Sequence, residues 1–137
     1  MEHNVGAGGI VINKRTGKIV LVKNSNKFWG FPKGKVESGE ELFQTAKREI
    51  YEETSISQLD LISDLGSYER YQLLDSGKED PKVKKTIHMY VFQTETDDIN
   101  SNDENIGEIK WVEKNEVGKY LYHPKDKEFY LSIYSKI

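Results

Sequence analysis

Residues 34–56 read GKVESGEELFQTAKREIYEETSI, and the stretch packs Glu49, Glu52 and Glu53 into little more than one helical turn. Helices ordinarily spread such charges or pair them with Lys and Arg, because like charges three or four residues apart repel by roughly 0.2–0.5 kcal/mol even when exposed. On a wheel advancing roughly 100° per residue, Leu42, Phe43, Ala46 and Ile50 form an apolar stripe, with Glu40, Gln44, Lys47 and Tyr51 opposite. The three glutamates fall on the flank of the stripe, and Glu53 lies inside its edge. A merely solubilising charge run belongs opposite the stripe. Within the helix Glu49 finds no cation at neighbouring spacing, and only Glu52 has one, Arg48, four residues earlier. Something cationic from outside the helix is expected to offset the rest. An all-oxygen cluster suits a hard divalent ion, Mg²⁺ first and Mn²⁺ next. The bland alternative is an acidic helix end pointing at solvent, and the helix alone does not separate the two.

Around this segment the chain alternates strand and turn signals. GIVIN (9–13) and KIVLVK (18–23), joined by KRTG, read as a hairpin. FWGFPKGKVESGEE (28–41) is broken by three glycines and a proline and reads mainly as loop, Pro32 biasing Phe31 towards an extended conformation. A helix is expected over about 39–54, capped by Ser38 with Glu41 completing a capping box. Strands are expected at 59–63, 67–74 and 86–93, with 75–82 as the turn between the last two, and one more at 108–112. In the third of these Ile87, Met89 and Val91 alternate with Thr86, His88 and Tyr90, the pattern of a half-buried strand. Phe129, Ile133 and Ile137 are spaced as one face of a closing helix. Strands interrupted by one helix and ended by another imply a mixed sheet with helices packed on it.

Composition narrows the classes. A chain of 137 residues fits one domain with a core, so 1–137 is expected to be a single unit. A net charge of −3 argues against a whole-surface nucleic-acid or membrane binder, leaving room for a local basic groove. Without cysteine there are no disulfides or thiolate metal sites. The N-terminus lacks a secretory pattern and no apolar run reaches membrane-spanning length, so a soluble, cytoplasmic protein is expected. GAGG (6–9) lacks dinucleotide-fold spacing, GKVESG lacks the Gly-Lys-Ser/Thr end of a P-loop, and no His pair has zinc spacing.

From Gly34 the chain carries Gly34, Glu40, Arg48-Glu49-Ile50, Glu52-Glu53 and Ile56 at the spacing G-x5-E-x7-R-E-U-x-E-E-x-G-U, where U is aliphatic. This resembles the Nudix box, here residues 34–56. Every charged and both aliphatic positions match; Ser55 replaces the final glycine, which usually supplies a left-handed helix cap. The resemblance implies a Nudix hydrolase with an α/β/α sandwich, an α+β arrangement around a mixed sheet, and Mg²⁺-dependent hydrolysis of a nucleoside diphosphate linked to another moiety. By position it implies that Glu49, Glu52 and Glu53 bind metal, with a main-chain carbonyl around Lys33 and Gly34. It also implies that Arg48 and Glu40 hold the box loop to the helix. Divalent ions shield phosphate oxygens and lower the pKa of bound water, and a further carboxylate accepts the proton. Glu49, Glu53, Glu104 and Glu108 are all candidates for that base.

The run from Phe28 to Glu41 resembles the branch that hydrolyses dinucleoside polyphosphates, typified by asymmetrical diadenosine tetraphosphate hydrolases. Similar runs occur in enzymes acting on RNA 5′ ends. The resemblance implies phosphate contacts from Lys33 and from Lys84 or Lys85, Lys85 being the closer match, and nucleotide contacts from Tyr68 and Tyr71. With two Trp, eight Tyr and five Phe, most aromatics must be core. Trp29 is either a lid over a base or an anchor, Trp111 is expected in the core, and His88 on the surface or hydrogen-bonded. The leading expectation is cleavage of diadenosine tetraphosphate to ATP and AMP. The alternatives are a nucleoside-triphosphate pyrophosphatase, an RNA 5′ pyrophosphohydrolase, or a non-catalytic nucleotide-binding module. The partner is a small nucleotide, with an RNA 5′ end as the one nucleic-acid option; monomer and homodimer both stay open.

Overall fold

The structure, a computed structural model, describes residues Met1–Ile137. β1 (Glu2–Asn13) and β2 (Ile19–Asn24) form the expected antiparallel hairpin, with Ile12 opposite Ile19. β1 then runs parallel to β6 (Glu79–Thr94), which pairs antiparallel with the edge strand β5 (Asp60–Leu73). On the other side β2 pairs antiparallel with both β3 (Trp29–Gly30) and β7 (Ile106–Val112), while β4 (Lys33–Lys35) pairs antiparallel with β1. The sheet is therefore mixed.

α1 (Leu42–Thr54) covers one face of the sheet. Its Ala46 and Ile50 pack with Ala7, Val11, Val20 and Phe92. Gly9 lets the helix come close, since a Cβ there would stand 3.0 Å from Ile50 Cδ1 and 2.9 Å from the Phe92 ring. α2 (Val117–Tyr120) and α3 (Pro124–Ile133) cover the opposite face, where Phe129, Tyr130 and Ile133 meet Ile10, Leu21 and Met89. Two cores on two faces of one sheet make an α/β/α sandwich.

Several expectations are corrected. Ser38 does not cap α1: the helix starts at Leu42 with Glu41 as N-cap, and the Gln44 side chain accepts the Glu41 N–H at 2.9 Å. The 28–41 stretch holds two short strands, made by pairing with β2 and β1, which no local pattern announces. The runs at 59–63 and 67–74 are one strand that continues through register shifts between Leu61 and Ser63 and between Asp64 and Ser67. β6 is buried on both faces at Met89–Phe92 because it lies centrally, with Met89 in the α3-side core and Tyr90 and Phe92 in the α1-side core. Trp111 is only partly buried at the margin of the α1-side core, its Nε1–H donating to the Asp97 carbonyl. His88, by contrast, is hydrogen-bonded as expected, its Nε2 lying 2.6 Å from Asp64 Oδ1. The closing helix ends at Ile133 and a 3₁₀ turn, Tyr134–Lys136, follows.

Candidate active site

α1 delivers its acidic residues in graded exposure. Glu53 is 6% exposed, the Glu49 side chain 13% and the Glu52 side chain 45%. Arg48 is the hub beside them. Its Nε and Nη2 fork onto Glu40 at 2.6 and 3.0 Å, Nη1 donates to Glu49 at 2.7 Å and Glu52 at 3.3 Å, and Nη2 also reaches the Lys35 carbonyl at 3.0 Å. A planar guanidinium suits such forked pairing, and it ties β4 and the loop after it to the helix. Glu40 is held down at about 2, first by Arg48, then by the Glu37 N–H and the Thr45 hydroxyl. Glu49 thus does have a cation in its own helix: the long Arg48 side chain reaches its immediate neighbour, which a wheel of Cβ positions does not show.

Gly34 sets where the Glu49 carboxylate rests. A Cβ on Gly34 would stand 2.1–2.4 Å from the carboxyl carbon and both oxygens of Glu49. The Gly34 carbonyl is turned towards Gly6 of β1, where a Cβ would approach it to 2.7 Å.

Glu53 has no such partner. Burial, reinforced by the neighbouring Glu49 and by Asp103, pushes its carboxyl well above the usual range, and Lys33 is the cation that pulls the other way. Asp103 comes from a loop docked on the C-terminus of α1: the Asn100 and Asn102 N–H groups donate to the carbonyls of Thr54 and Glu52, both at 3.1 Å. Ser55 takes the left-handed conformation (φ 65°) expected at that cap, and its hydroxyl donates to the Asn100 carbonyl.

Glu53 and Asp103 line one cavity of about 530 Å³ together with Lys33, Arg70, Lys85 and Asp126. Asp126 in the first turn of α3 is 1% exposed; it accepts the Tyr68 hydroxyl at 2.6 Å and Arg70 Nη1 at 2.9 Å, with Lys33 Nζ at 3.8 Å. His123 caps α3. Its Nδ1 accepts the Lys125 N–H at 3.0 Å, so Nε2 carries the proton and donates to the Tyr71 carbonyl at 3.0 Å. Burial, then Arg70, hold its pKa below the ordinary imidazole value.

Of the residues expected at the site, Lys33, Gly34, Glu53 and Lys85 line this cavity. Glu49 and Glu52 do not line it, although the Glu49 carboxylate rests against Gly34, which does. Glu104 and Glu108 do not line it: Glu104 is exposed, and Glu108, half exposed, pairs with Lys23 at 2.9 Å. The loop acid that does is Asp103. Tyr68 and Tyr71 also lie elsewhere. Tyr68 stacks on Phe129 at 4.4 Å between centroids and spends its hydroxyl on Asp126. The Tyr71 ring is exposed, and its carbonyl caps His123. The aromatic residues lining the cavity are Phe28, stacked on Tyr122 at 4.2 Å, Trp29, edge-on to Tyr120 at 5.5 Å, and the buried Phe31, tilted against Tyr130 at 5.8 Å. Arg70 and Asp126, invisible to motif and periodicity alike, are brought in by the sheet and α3.

The donor chemistry of Glu49, Glu52 and Glu53 fits a hard divalent ion, and the burial that disfavours charge on Glu53 is what such an ion would offset. With Arg48 drawing Glu49 and Glu52 to itself, no three acidic side chains converge at ligand spacing in this structure.

A mixed sheet between two helical layers thus carries an acidic helix with a cationic cleft beside it. The NUDIX domain model matches residues 2–133, and the chain belongs to the Nudix family. Divalent metals such as Mg²⁺ serve that family generally. An RNA pyrophosphohydrolase of Pelagibacter ubique is 31% identical over 119 residues, covering 79% of this chain and 75% of the relative. Among solved structures, the E. coli dihydroneopterin triphosphate pyrophosphohydrolase superposes with a TM-score of 0.80 at 18% identity over the full length of both chains. A C. elegans Ap4A hydrolase binary complex gives 0.79 at 21% identity over 97% of this chain and 96% of that one. The chain spans 52% and 41% of the length of two longer curated relatives that it matches.

Proposed function

We propose that this protein is a Mg²⁺-dependent pyrophosphohydrolase of dinucleoside polyphosphates that cleaves diadenosine tetraphosphate, with one water, to ATP and AMP. The observation that carries the reading is a single cavity lined at once by the acids Glu53 and Asp103, the cations Lys33 and Lys85, and the aromatic residues Phe28 and Trp29. A polyphosphate between two nucleosides needs each of these. The Ap4A hydrolase structure, alike in fold, supports the choice.

Glu49, Glu52 and Glu53 would hold the metal. When bound, it supplies charge neutralisation at the phosphate oxygens and a more acidic water. Glu53, the box carboxylate that lines the cavity, is placed to take the proton of the attacking water at a carboxylate oxygen. Lys33 and Lys85 hold the phosphate chain by charge-assisted hydrogen bonds. Phe28 and Trp29 offer faces to a nucleobase. Arg48 and Glu40 fix the helix against β4, so that Glu49 does not wander.

A second reading, a pyrophosphohydrolase of RNA 5′ ends, is favoured by the relative from Pelagibacter ubique. A panel of diadenosine tetraphosphate, nucleoside triphosphates, sugar nucleotides and 5′-triphosphate RNA, run with Mg²⁺ and with Mn²⁺ in H₂¹⁸O, separates the two. The expected products of the dinucleotide are ATP and AMP. Release of ADP alone, or turnover confined to RNA, overturns the leading reading.

A further inference from the structure

Three of the cavity's cations gather around a single buried carboxylate. Arg70 on β5 stands directly opposite Lys85 on β6 in antiparallel register, and Lys33 joins them from β4. Like charges opposed across a strand pair destabilise it, and burial deepens the cost. Asp126 answers Arg70 and Lys33 directly, and Lys33 is shared with Glu53. Around Lys85, Arg70 and Lys33 each weigh more than Asp126 does. Arg70 is 10% exposed, Asp126 takes its Nη1, and its Nε is buried without any hydrogen-bond partner. A charged donor buried without a partner loses its water and gains nothing in return. An anion restores the balance.

We infer that Arg70, positioned by Asp126, forms with Lys85 and Lys33 an anion subsite that binds a phosphate of the substrate other than the one attacked, and binds it without metal. Glu53 and Asp103 reach the cavity from the end of α1 and the loop docked on it, whereas Arg70 and Lys85 reach it from β5 and β6. The two sides of the cavity therefore serve different phosphates, with Lys33 between them. The inference rests on the polyphosphate reading of the same cavity, but its test does not require turnover.

Inorganic pyrophosphate is titrated calorimetrically, in excess EDTA, against wild type, Arg70→Gln, Lys85→Gln, Asp126→Asn and the surface control Lys119→Gln, with folding checked by circular dichroism. Wild type and the control should bind alike, and Arg70→Gln and Lys85→Gln at least tenfold more weakly. Asp126→Asn adds positive charge to the cavity, so a carboxylate that served only as counter-charge predicts tighter binding, whereas a positioning residue predicts weaker binding. Should Arg70→Gln not fold, Arg70→Lys keeps the charge without the fork and should lose at least threefold. Absence of metal-free binding in wild type, or equal affinity of wild type and the Arg70 variant, overturns the inference. Metal-free binding that depends on Arg70, in a protein inactive on diadenosine tetraphosphate, would sink the substrate assignment and leave the subsite standing.

Discussion

Gly34 shows how one missing methyl group places a functional side chain. The Glu49 carboxylate occupies the space a Cβ would take, and Arg48 holds it there from the other side. In Gly34→Ala the obstacle is the end of a flexible side chain, so the glutamate yields and the backbone does not. The expected result is a fall in kcat of about 100-fold, the cost typical of an ångström-scale misplacement, with the melting temperature little changed. Steady-state kinetics beside thermal unfolding check this; full activity would mean that Glu49 is not needed where it stands. The glutamates themselves are legible in the sequence because helical period puts them on the edge of the apolar stripe. The Gly34–Glu49 contact is not, since it depends on β4 pairing with β1.

At the level of elements, the C-terminus of α1 and the loop at 100–105 form one device. Two N–H groups of the loop satisfy helix carbonyls that would otherwise be orphaned. Ser55 adds its hydroxyl to the Asn100 carbonyl, and the Asn102 side chain donates back to it at 3.3 Å. The departure from the box pattern therefore has a counterpart in the loop carrying Asp103. Ser55→Gly relieves a left-handed conformation worth about 1 kcal/mol and forfeits hydrogen bonds worth about the same. Overall stability should move by less than about 1 kcal/mol, while amide exchange across 100–105 quickens. A stability gain well beyond that, with exchange unaltered, would show that the hydroxyl contributes nothing. Such pairings explain which elements the sequence discloses. The β1–β2 hairpin, α1 and α3 declare themselves through local periodicity and turn residues. β3 and β4 exist only because distant strands accept them, and Arg70 meets Asp126 across a separation of 56 residues, with no motif linking them.

Across the whole molecule, the sheet is roofed on both faces by apolar helices, and the polar chemistry collects in a cavity where β4, β5, β6 and the start of α3 meet. That concentration makes the cavity's charge sensitive to pH. Lys85 is pushed down to about 8, by burial first, then by Arg70 on β5 and Lys33 on β4; Asp126 on α3 opposes, and Lys35 on β4 adds to the depression. In the unfolded chain its proton stays on to about 10.4. Between these values the unfolded state binds more protons than the folded one, so this group's contribution to stability rises with pH across that window. Anion binding runs the other way, because the folded cavity sheds a positive charge through the same range. Sulfate, whose own charge is constant there, is the probe: its metal-free affinity for wild type should drop between about pH 7 and about pH 9.5, and drop further than that of Lys85→Gln, in which Lys33, its amine also pushed down by burial, is the subsite lysine left to titrate. The melting temperature of wild type should gain on that of the variant over the same interval. An affinity difference between the two proteins that is identical at both ends would show that Lys85 does not titrate in the cavity.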